Sequence, residues 1–366
     1  MQIRLRRHQL LFATIAAAAV IGVVEVAVRQ RTRVLEPISG TSQVDGDTAL
    51  AATVLELLPP KGIHAVGIAS VTEDAIRIAT IGTALRSTFE IGSINKGITG
   101  LLYADALNRG EVHSNMTLGE LFDLAGYDAA GITLQELSQH RSGLPSQPME
   151  ISDVARLVSR TIQAKNPFDG RTVDELLHDL RRSPVRAKRT AYSNLGFAAL
   201  GHALAVAAGT DYPTLLRNRI SESLGLERFY VPVGGESGLD EFAVQGRDSD
   251  GRAQQAWTDL QYAPAGGIRT DVTSMATLAQ ALLSGTAPGA AALVPTADFS
   301  FDGADRVGAG WITSQIQGRT ITWHNGGTGG FSSWIGLDHE RGNAIFLVAS
   351  TTLILDEFGE ALLLRQ

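Results

Sequence analysis

Residues 89–96 read Phe89-Glu90-Ile91-Gly92-Ser93-Ile94-Asn95-Lys96, and the apolar spacing that follows carries a helix from about Ser93 to Asn108, closed by Gly110. On a helix, residues three apart share a face, so the Lys96 amine reaches the Ser93 hydroxyl. A serine hydroxyl is a weak nucleophile until a neighbouring base takes its proton, and a lysine can act as that base only where burial or nearby cations keep it neutral. The helix N-terminus further favours negative charge developing at Ser93. Gly97 and Gly100 cost helix stability unless something packs closely against them, so the helix is expected to be central and buried.

Outward from this stretch the pattern changes twice. Before it, Thr48–Leu58 has helical spacing and stops at Pro59-Pro60, and His64–Val71 with Ala75–Ile81 reads as a hairpin of β-branched strands. After it come helical patterns at Leu118–Leu124, Thr133–His140, Ile151–Gln163, Val173–Leu180, Asn194–Ala208, Tyr212–Leu224 and, past Gly266-Gly267, Asp271–Leu283. Strand patterns then return at Gly310–Ile316, Arg319–His324, Phe331–Leu337 and Asn343–Ser350, and Leu353–Leu364 closes the chain as a helix. Strands at both ends with helices between them predict an α+β fold: one sheet completed by distant parts of the chain, with a helical lobe inserted. The cleft between two such lobes is the natural place for a site.

The chain has 366 residues, 44% hydrophobic and 19% charged, which excludes a mostly disordered protein. The absence of cysteine excludes a disulfide framework, a thiolate metal site, a cysteine nucleophile and a lipidated N-terminal cysteine. The formal charge of −7 is uneven: residues 1–33 carry six arginines against Glu25, a net +5, which leaves −12 for the rest. An acidic body argues against a nucleic-acid partner, since phosphate binding needs a cationic face. Within the basic segment, Leu10–Val24 is an unbroken apolar run, the arrangement of an export signal. It is short for a span of about 20 residues, although reading on to Val28 lengthens it. Residues 1–33 are therefore read as a signal peptide or a membrane anchor, the second tethering the protein to the inner membrane through residues 10–28. Both place the body outside the cytoplasm, periplasmic or otherwise extracytoplasmic. Residues 34–48 read as a linker.

Several motifs fail. G-x-S-x-G is absent, and His339-Glu340 does not extend to H-E-x-x-H because Asn343 occupies the last position. Gly326-Gly327-Thr328-Gly329-Gly330 leads into a strand with no lysine after it, which makes a poor phosphate loop. No metal and no cofactor is expected. Two further segments suit the Ser93–Lys96 pair. Tyr192-Ser193-Asn194 offers a phenol that can relay a proton and an amide that can hold both the lysine and a substrate carbonyl. His324-Asn325-Gly326-Gly327 ends a strand, and the backbone N–H groups of Gly327 and Ser93 would form an oxyanion hole. Taken singly, the first also reads as a helix N-cap and the second as a strand end before a glycine turn.

Together, and in this order, these segments resemble the serine β-lactamase/penicillin-binding protein superfamily, in particular the class C β-lactamase-like branch that includes DD-peptidases, D-aminopeptidases and esterases. The resemblance runs from about residue 49 to 366 and includes Ile132-Thr133-Leu134-Gln135-Glu136-Leu137, Ser142-Gly143-Leu144-Pro145, Leu224-Gly225-Leu226, Ala265-Gly266-Gly267-Ile268 and Gly310-Trp311. It implies an α/β/α sandwich with an antiparallel sheet, the β-lactamase/transpeptidase-like fold, with a sheet lobe of about 49–115 and 255–366 and an all-helical lobe of about 116–254. It further implies an acyl-enzyme on Ser93, with Lys96 and Tyr192 as the base system. Ser93 and Gly327 would form the oxyanion hole, and Asn194, Gln147, His324 and Gly326 would contact substrate.

The chain departs from the family at His324-Asn325-Gly326, where β-lactamases and DD-peptidases usually have Lys-Thr-Gly. A histidine is mostly neutral at pH 7, so the permanent cation that holds a substrate carboxylate is missing, as in the D-aminopeptidase and esterase members. Arg186-Ala187-Lys188-Arg189 stands where Pro-Gly is usual and is read as a solvated turn. The expected activity is that of an exported serine hydrolase on amide, peptide or ester substrates, small-molecule or peptidoglycan-like. The alternatives are a class C-type β-lactamase or DD-carboxypeptidase/endopeptidase, and a non-catalytic cell-wall-binding or sensor module.

Overall fold

The computed structural model describes residues 38–72, 74–147, 151–300 and 303–366. The segment 1–33 and its expected export or tethering role lie outside the described residues. Twelve strands follow in chain order: β1 (Val44–Gly46), β2 (Val66–Thr72), β3 (Ile76–Ile81), β4 (Phe89–Glu90), β5 (Phe229–Tyr230), β6 (Arg269–Thr270), β7 (Ala297–Asp298), β8 (Asp305–Val307), β9 (Ile312–Ile316), β10 (Arg319–Gly327), β11 (Ser332–Asp338) and β12 (Asn343–Ala349). The longer helices are α1 (Thr48–Leu57), α2 (Ile94–Asn108), α3 (Ile151–Ile162), α4 (Val173–Arg182), α5 (Asn194–Ala207), α6 (Val272–Leu283) and α7 (Asp356–Leu364).

Nine strands form one antiparallel sheet in the order β1-β3-β2-β12-β11-β10-β9-β8-β7, and β4-β6-β5 form a small second sheet. The β2–β12 pairing, from Val66 opposite Ala349 to Thr72 opposite Asn343, joins the two ends of the chain at the sheet centre. Successive side chains on a strand face opposite ways. Accordingly Ile345, Leu347 and Ala349 of β12 pack with α1 and α7 on one face, while Ala344, Phe346 and Val348 pack on the other with α2, α5 and α6. The result is the expected α/β/α sandwich. No helix among the described residues is long and apolar enough to cross a membrane.

Two readings are corrected. Within the stretch read as a linker, Val44–Gly46 forms β1, paired to Ile81–Ala79 of β3, and Ile38 is buried with its N–H on the Ile63 carbonyl at 2.9 Å. An edge strand of three residues is too short for its alternation to be seen. The lobe of about 116–254 is not purely helical, because it contributes β5 to the small sheet through Phe229–Thr270 and Tyr230–Arg269 pairs.

The small sheet holds the chain that leads into Ser93. Arg269 and Glu90 are both buried, with guanidinium Nη1 3.0 Å from Glu90 Oε1, and Nη2 donates to the carbonyls of Thr88 at 2.9 Å and Val244 at 3.0 Å. The Trp257 N–H donates to the same carboxylate at 3.0 Å. Removing one partner of such a pair leaves an uncompensated buried charge.

The expectation of close packing on the first half of α2 holds. A Cβ on Gly97 would lie 2.7 Å from the Trp311 ring, and one on Gly100 would overlap the Ala309 carbonyl oxygen. Gly100→Ala therefore tests whether tertiary contact outweighs helix propensity. Propensity alone would stabilise by about 1 kcal/mol, whereas rigid overpacking costs about 1–3 kcal/mol. A lowered midpoint in thermal unfolding is expected; a raised midpoint would mean that the helix is not packed this way.

Candidate active site

Ser93 stands at the N-terminus of α2, partly exposed, with φ −67° and ψ −8°. The residue before it, Gly92, has φ +51°, and a Cβ there would run into the backbone of Gly327. Only glycine combines that backbone conformation with that approach. The turn therefore brings the nucleophile against the end of β10.

Lys96 is fully buried. Its Nζ lies 2.8 Å from Ser93 Oγ and donates to the Ala265 carbonyl at 2.7 Å. Burial holds the amine well below the usual lysine range. A neutral amine has a lone pair to take the Ser93 proton while one of its own N–H groups stays on Ala265. The carbonyl that receives Lys96 is fixed by its neighbours. Asn95 Nδ2 donates to Ala263 O, and Thr99 Oγ1 donates to Pro264 O at 2.7 Å. Three polar side chains of α2 thus hold three consecutive carbonyls of the turn at 263–265.

Tyr192 sits just before α5, whose N-cap is Ser193; the Ser193 hydroxyl accepts from Gly196 N–H at 2.9 Å and donates to Pro145 O at 2.7 Å. The Tyr192 ring centroid is 4.9 Å from Lys96 Nζ, and the phenol interacts with Ser93. Burial pushes the phenol up, so it keeps its proton and is suited to donate or relay rather than to act as a phenolate.

β10 continues three residues beyond the expected end at His324 and stops at Gly327. Thr328 N–H donates to Phe331 O at 2.9 Å, and Gly327 lies opposite Ser332. Hydrogen-bonded and non-hydrogen-bonded pairs alternate in an antiparallel ladder, so the Gly327 N–H turns away from β11. That direction is toward the turn at Gly92 and Ser93.

The remaining expected residues divide. His324 is 1% exposed, so its ring is covered by its neighbours. Its Nδ1 donates to Asn325 O at 2.6 Å, its ring centroid is 6.4 Å from that of Tyr192, and burial pushes its pKa down to about 3. Gly326 is also buried, and a Cβ there would overlap the Ile91 carbonyl, so its smallness lets β10 pass behind the nucleophile. The Asn194 amide donates to Ser146 Oγ at 3.4 Å instead of to Lys96. Gln147, the next residue after Ser146, lines a pocket with Phe168, Arg171 and Tyr262. In the 186–189 turn, Lys188 Nζ lies 2.6 Å from Glu136, so this cation is neutralised at the surface and does not replace the missing motif lysine.

One residue of the site was not singled out from the sequence. His140 is buried against Tyr192, with ring centroids 4.5 Å apart and planes at 26°. In the sequence it looks like the last residue of a short helix, and no local pattern points to a partner 52 residues away.

These environments fix the expected pH behaviour. Protonation of Lys96 destroys the base, so acylation of Ser93 should rise with pH through the lowered lysine pKa. His140 and His324 are both held below the ordinary histidine value, so neither should add a limb between about pH 5 and 8. The rate of acylation by p-nitrophenyl acetate across pH measures this. Lys96→Arg, which cannot lose its proton, should lower that rate by about 10²–10⁴-fold at every pH.

Comparison with known proteins agrees with this geometry. The Beta-lactamase family profile matches residues 65–364. An unguisins hydrolase of Aspergillus campestris is 26% identical over 307 residues, covering 75% of this chain and 54% of the relative. A β-lactamase-like protein of Dictyostelium discoideum is 29% identical over 160 residues, covering 40% of this chain and 26% of the relative. The chain thus spans about half or less of the curated relatives it matches. Among solved structures, a class C β-lactamase variant superposes with TM-score 0.73 at 17% identity, covering 87% of this chain and 98% of that one. A D-stereospecific amidohydrolase from Streptomyces superposes with TM-score 0.71 at 20% identity, covering 85% and 97%. With the serine, the buried lysine and the tyrosine converging where β10 ends, and with the profile spanning both lobes, the chain belongs to the Beta-lactamase family of serine hydrolases.

Proposed function

We propose that this chain is an exported serine hydrolase that works through an acyl-serine intermediate on amide, peptide or ester substrates that do not depend on a carboxylate for binding. The observation that carries this reading is the fully buried Lys96 amine 2.8 Å from Ser93 Oγ, with no carboxylate ion-paired to it among the described residues. The substrate carbonyl oxygen would lie between the N–H groups of Ser93 and Gly327. Ser93 Oγ attacks the carbonyl carbon as its proton passes to Lys96. The Tyr192 phenol hands a proton to the departing amine or alcohol and recovers one from Lys96, which leaves the acyl-enzyme for water to hydrolyse.

The substrate preference follows from what lies beside the hole. His324 stays neutral, and the ionisable side chain hydrogen-bonded to the same motif is an acid, Asp356, whose Oδ2 accepts from Asn325 Nδ2 at 2.8 Å. A β-lactam or a peptide ending in a free carboxylate then meets a neutral imidazole and an acid at this motif in place of the usual lysine. The relative named as an unguisins hydrolase supports hydrolysis, and the structure named as a D-stereospecific amidohydrolase supports the amide side of this range. The basic and apolar segment at residues 1–33 supports a location outside the cytoplasm.

Ser93→Ala should abolish covalent labelling by a fluorophosphonate probe while the thermal unfolding midpoint stays within a few degrees of the parent. Labelling that persists in this variant would place the nucleophile elsewhere. His324→Lys should raise kcat/KM for benzylpenicillin relative to p-nitrophenyl acetate by about tenfold, the worth of one charge-assisted hydrogen bond. An unchanged ratio would show that the missing cation does not set the preference.

A further inference from the structure

A helix that ends by turning into the left-handed region usually has glycine at the turning residue, because a side chain there crowds the backbone. The short helix Leu134–Ser138 ends in this way, with Arg141 N–H returning to the Glu136 carbonyl at 2.8 Å, but the turning residue is His140, at φ +57°. Cap geometry explains the turn and does not explain the imidazole. What the imidazole touches does. The His140 carbonyl accepts the Ala191 N–H at 2.8 Å, and His140 Nδ1 accepts the Ser193 N–H at 3.1 Å. Between those two bonds, the Tyr192 ring stacks on the imidazole at 4.5 Å, and Phe197 packs against the same imidazole at 4.6 Å. The chain at 184–193 has no regular secondary structure of its own, so no backbone ladder sets the torsions of Tyr192.

We propose that His140 is a positioning residue: it fixes the backbone on both sides of Tyr192 and the plane of its ring, and so aims the phenol at Ser93 and Lys96. This rests on the hydrolase reading above. Nδ1 accepts a hydrogen bond only while it carries no proton, so the clamp requires a neutral imidazole. The surroundings enforce that, since the ring is 2% exposed and the titratable groups opposing its charge are Lys96 and His324. A residue selected for the helix end alone would be glycine. A strained residue kept where it touches the site is the pattern expected of function.

Two substitutions in the full chain separate the parts of the clamp. His140→Phe keeps an aromatic ring and loses the acceptor. His140→Asn tolerates the left-handed backbone and keeps an acceptor near the Nδ1 position, but loses the ring. The rate of fluorophosphonate labelling at Ser93, measured well below each variant's melting temperature, should fall about tenfold or more in His140→Phe, the scale of a misplaced proton-transfer group. His140→Asn should restore about threefold or more of that loss, the worth of one hydrogen bond. The Michaelis constant for p-nitrophenyl acetate should move far less than kcat in both. A parent-like labelling rate in His140→Phe, or an asparagine variant no better than phenylalanine, would overturn the clamp. If both variants fail to fold, nitrogen-15 spectra of the unsubstituted protein decide: the clamp requires Nδ1 to remain an unprotonated acceptor as the pH falls to about 5, and protonation of His140 near the ordinary pKa of about 6.5 without loss of Ser93 reactivity refutes it. Failure of the unsubstituted protein to label at all would overturn the hydrolase reading instead, and the spectra would still judge the clamp.

Discussion

A primary amine buried between two lobes is the constraint around which this protein is arranged. Lys96 is fully enclosed, and its amine is held by Ser93 Oγ and the Ala265 carbonyl. Burial on that scale disfavours the ammonium form, and it exists only if the surroundings close tightly on α2. Gly97 and Gly100 admit Trp311 and Ala309 against the helix. Asn95 and Thr99 hold the turn at 263–265 in place, so that a carbonyl meets the amine. The same burial keeps His140 and His324 neutral, each further opposed by Lys96. Three nitrogen bases thus share one dry region that disfavours a positive charge on each of them, which makes the lysine available as a base.

A second constraint is the meeting of two backbone segments with no side chain between them. Gly92 and Gly326 let the turn before Ser93 and the end of β10 touch, and Ser333 Oγ secures the contact through the Ile91 carbonyl at 2.8 Å. Donors fixed in this way need no reorganisation when charge develops on the substrate oxygen, which is the source of oxyanion-hole catalysis. The buried Glu90–Arg269 pair ties the same turn to the small sheet and, through Val244, to the helical lobe. The site is therefore stiff because three elements distant in sequence converge on it.

Much of this was legible in order. Alternation and helical spacing gave the strands and helices of both lobes, and the motif lysine stood three residues after the serine as a helix requires. What escaped reading did so for identifiable reasons. β1 and β4 to β8, two or three residues each, are too short to show a period. The burial of His324 and Gly326 was not foreseen because a linear motif does not show which of its atoms are covered, whereas the backbone of Gly327 faces the Ser93 turn. Asn194 turned to Ser146 rather than to Lys96, since the segment carrying Ser146 runs alongside the start of α5, where Leu195 N–H donates to Ser146 O at 3.1 Å. His140 was missed because its partners are two backbone amides and a ring some fifty residues on.

The sequence by itself determined the chemical class. A serine and a lysine one helical turn apart, a tyrosine before a helix cap and a glycine pair ending a strand are local patterns, set by spacing and residue type. It also determined the charge consequence of a histidine where the family has lysine. Only the tertiary structure decided which of these groups are covered, what protonation state burial imposes on them, and which unmarked residue holds the tyrosine. Burial and desolvation belong to the packed molecule: a side chain's pKa and its reach depend on what the rest of the chain places against it.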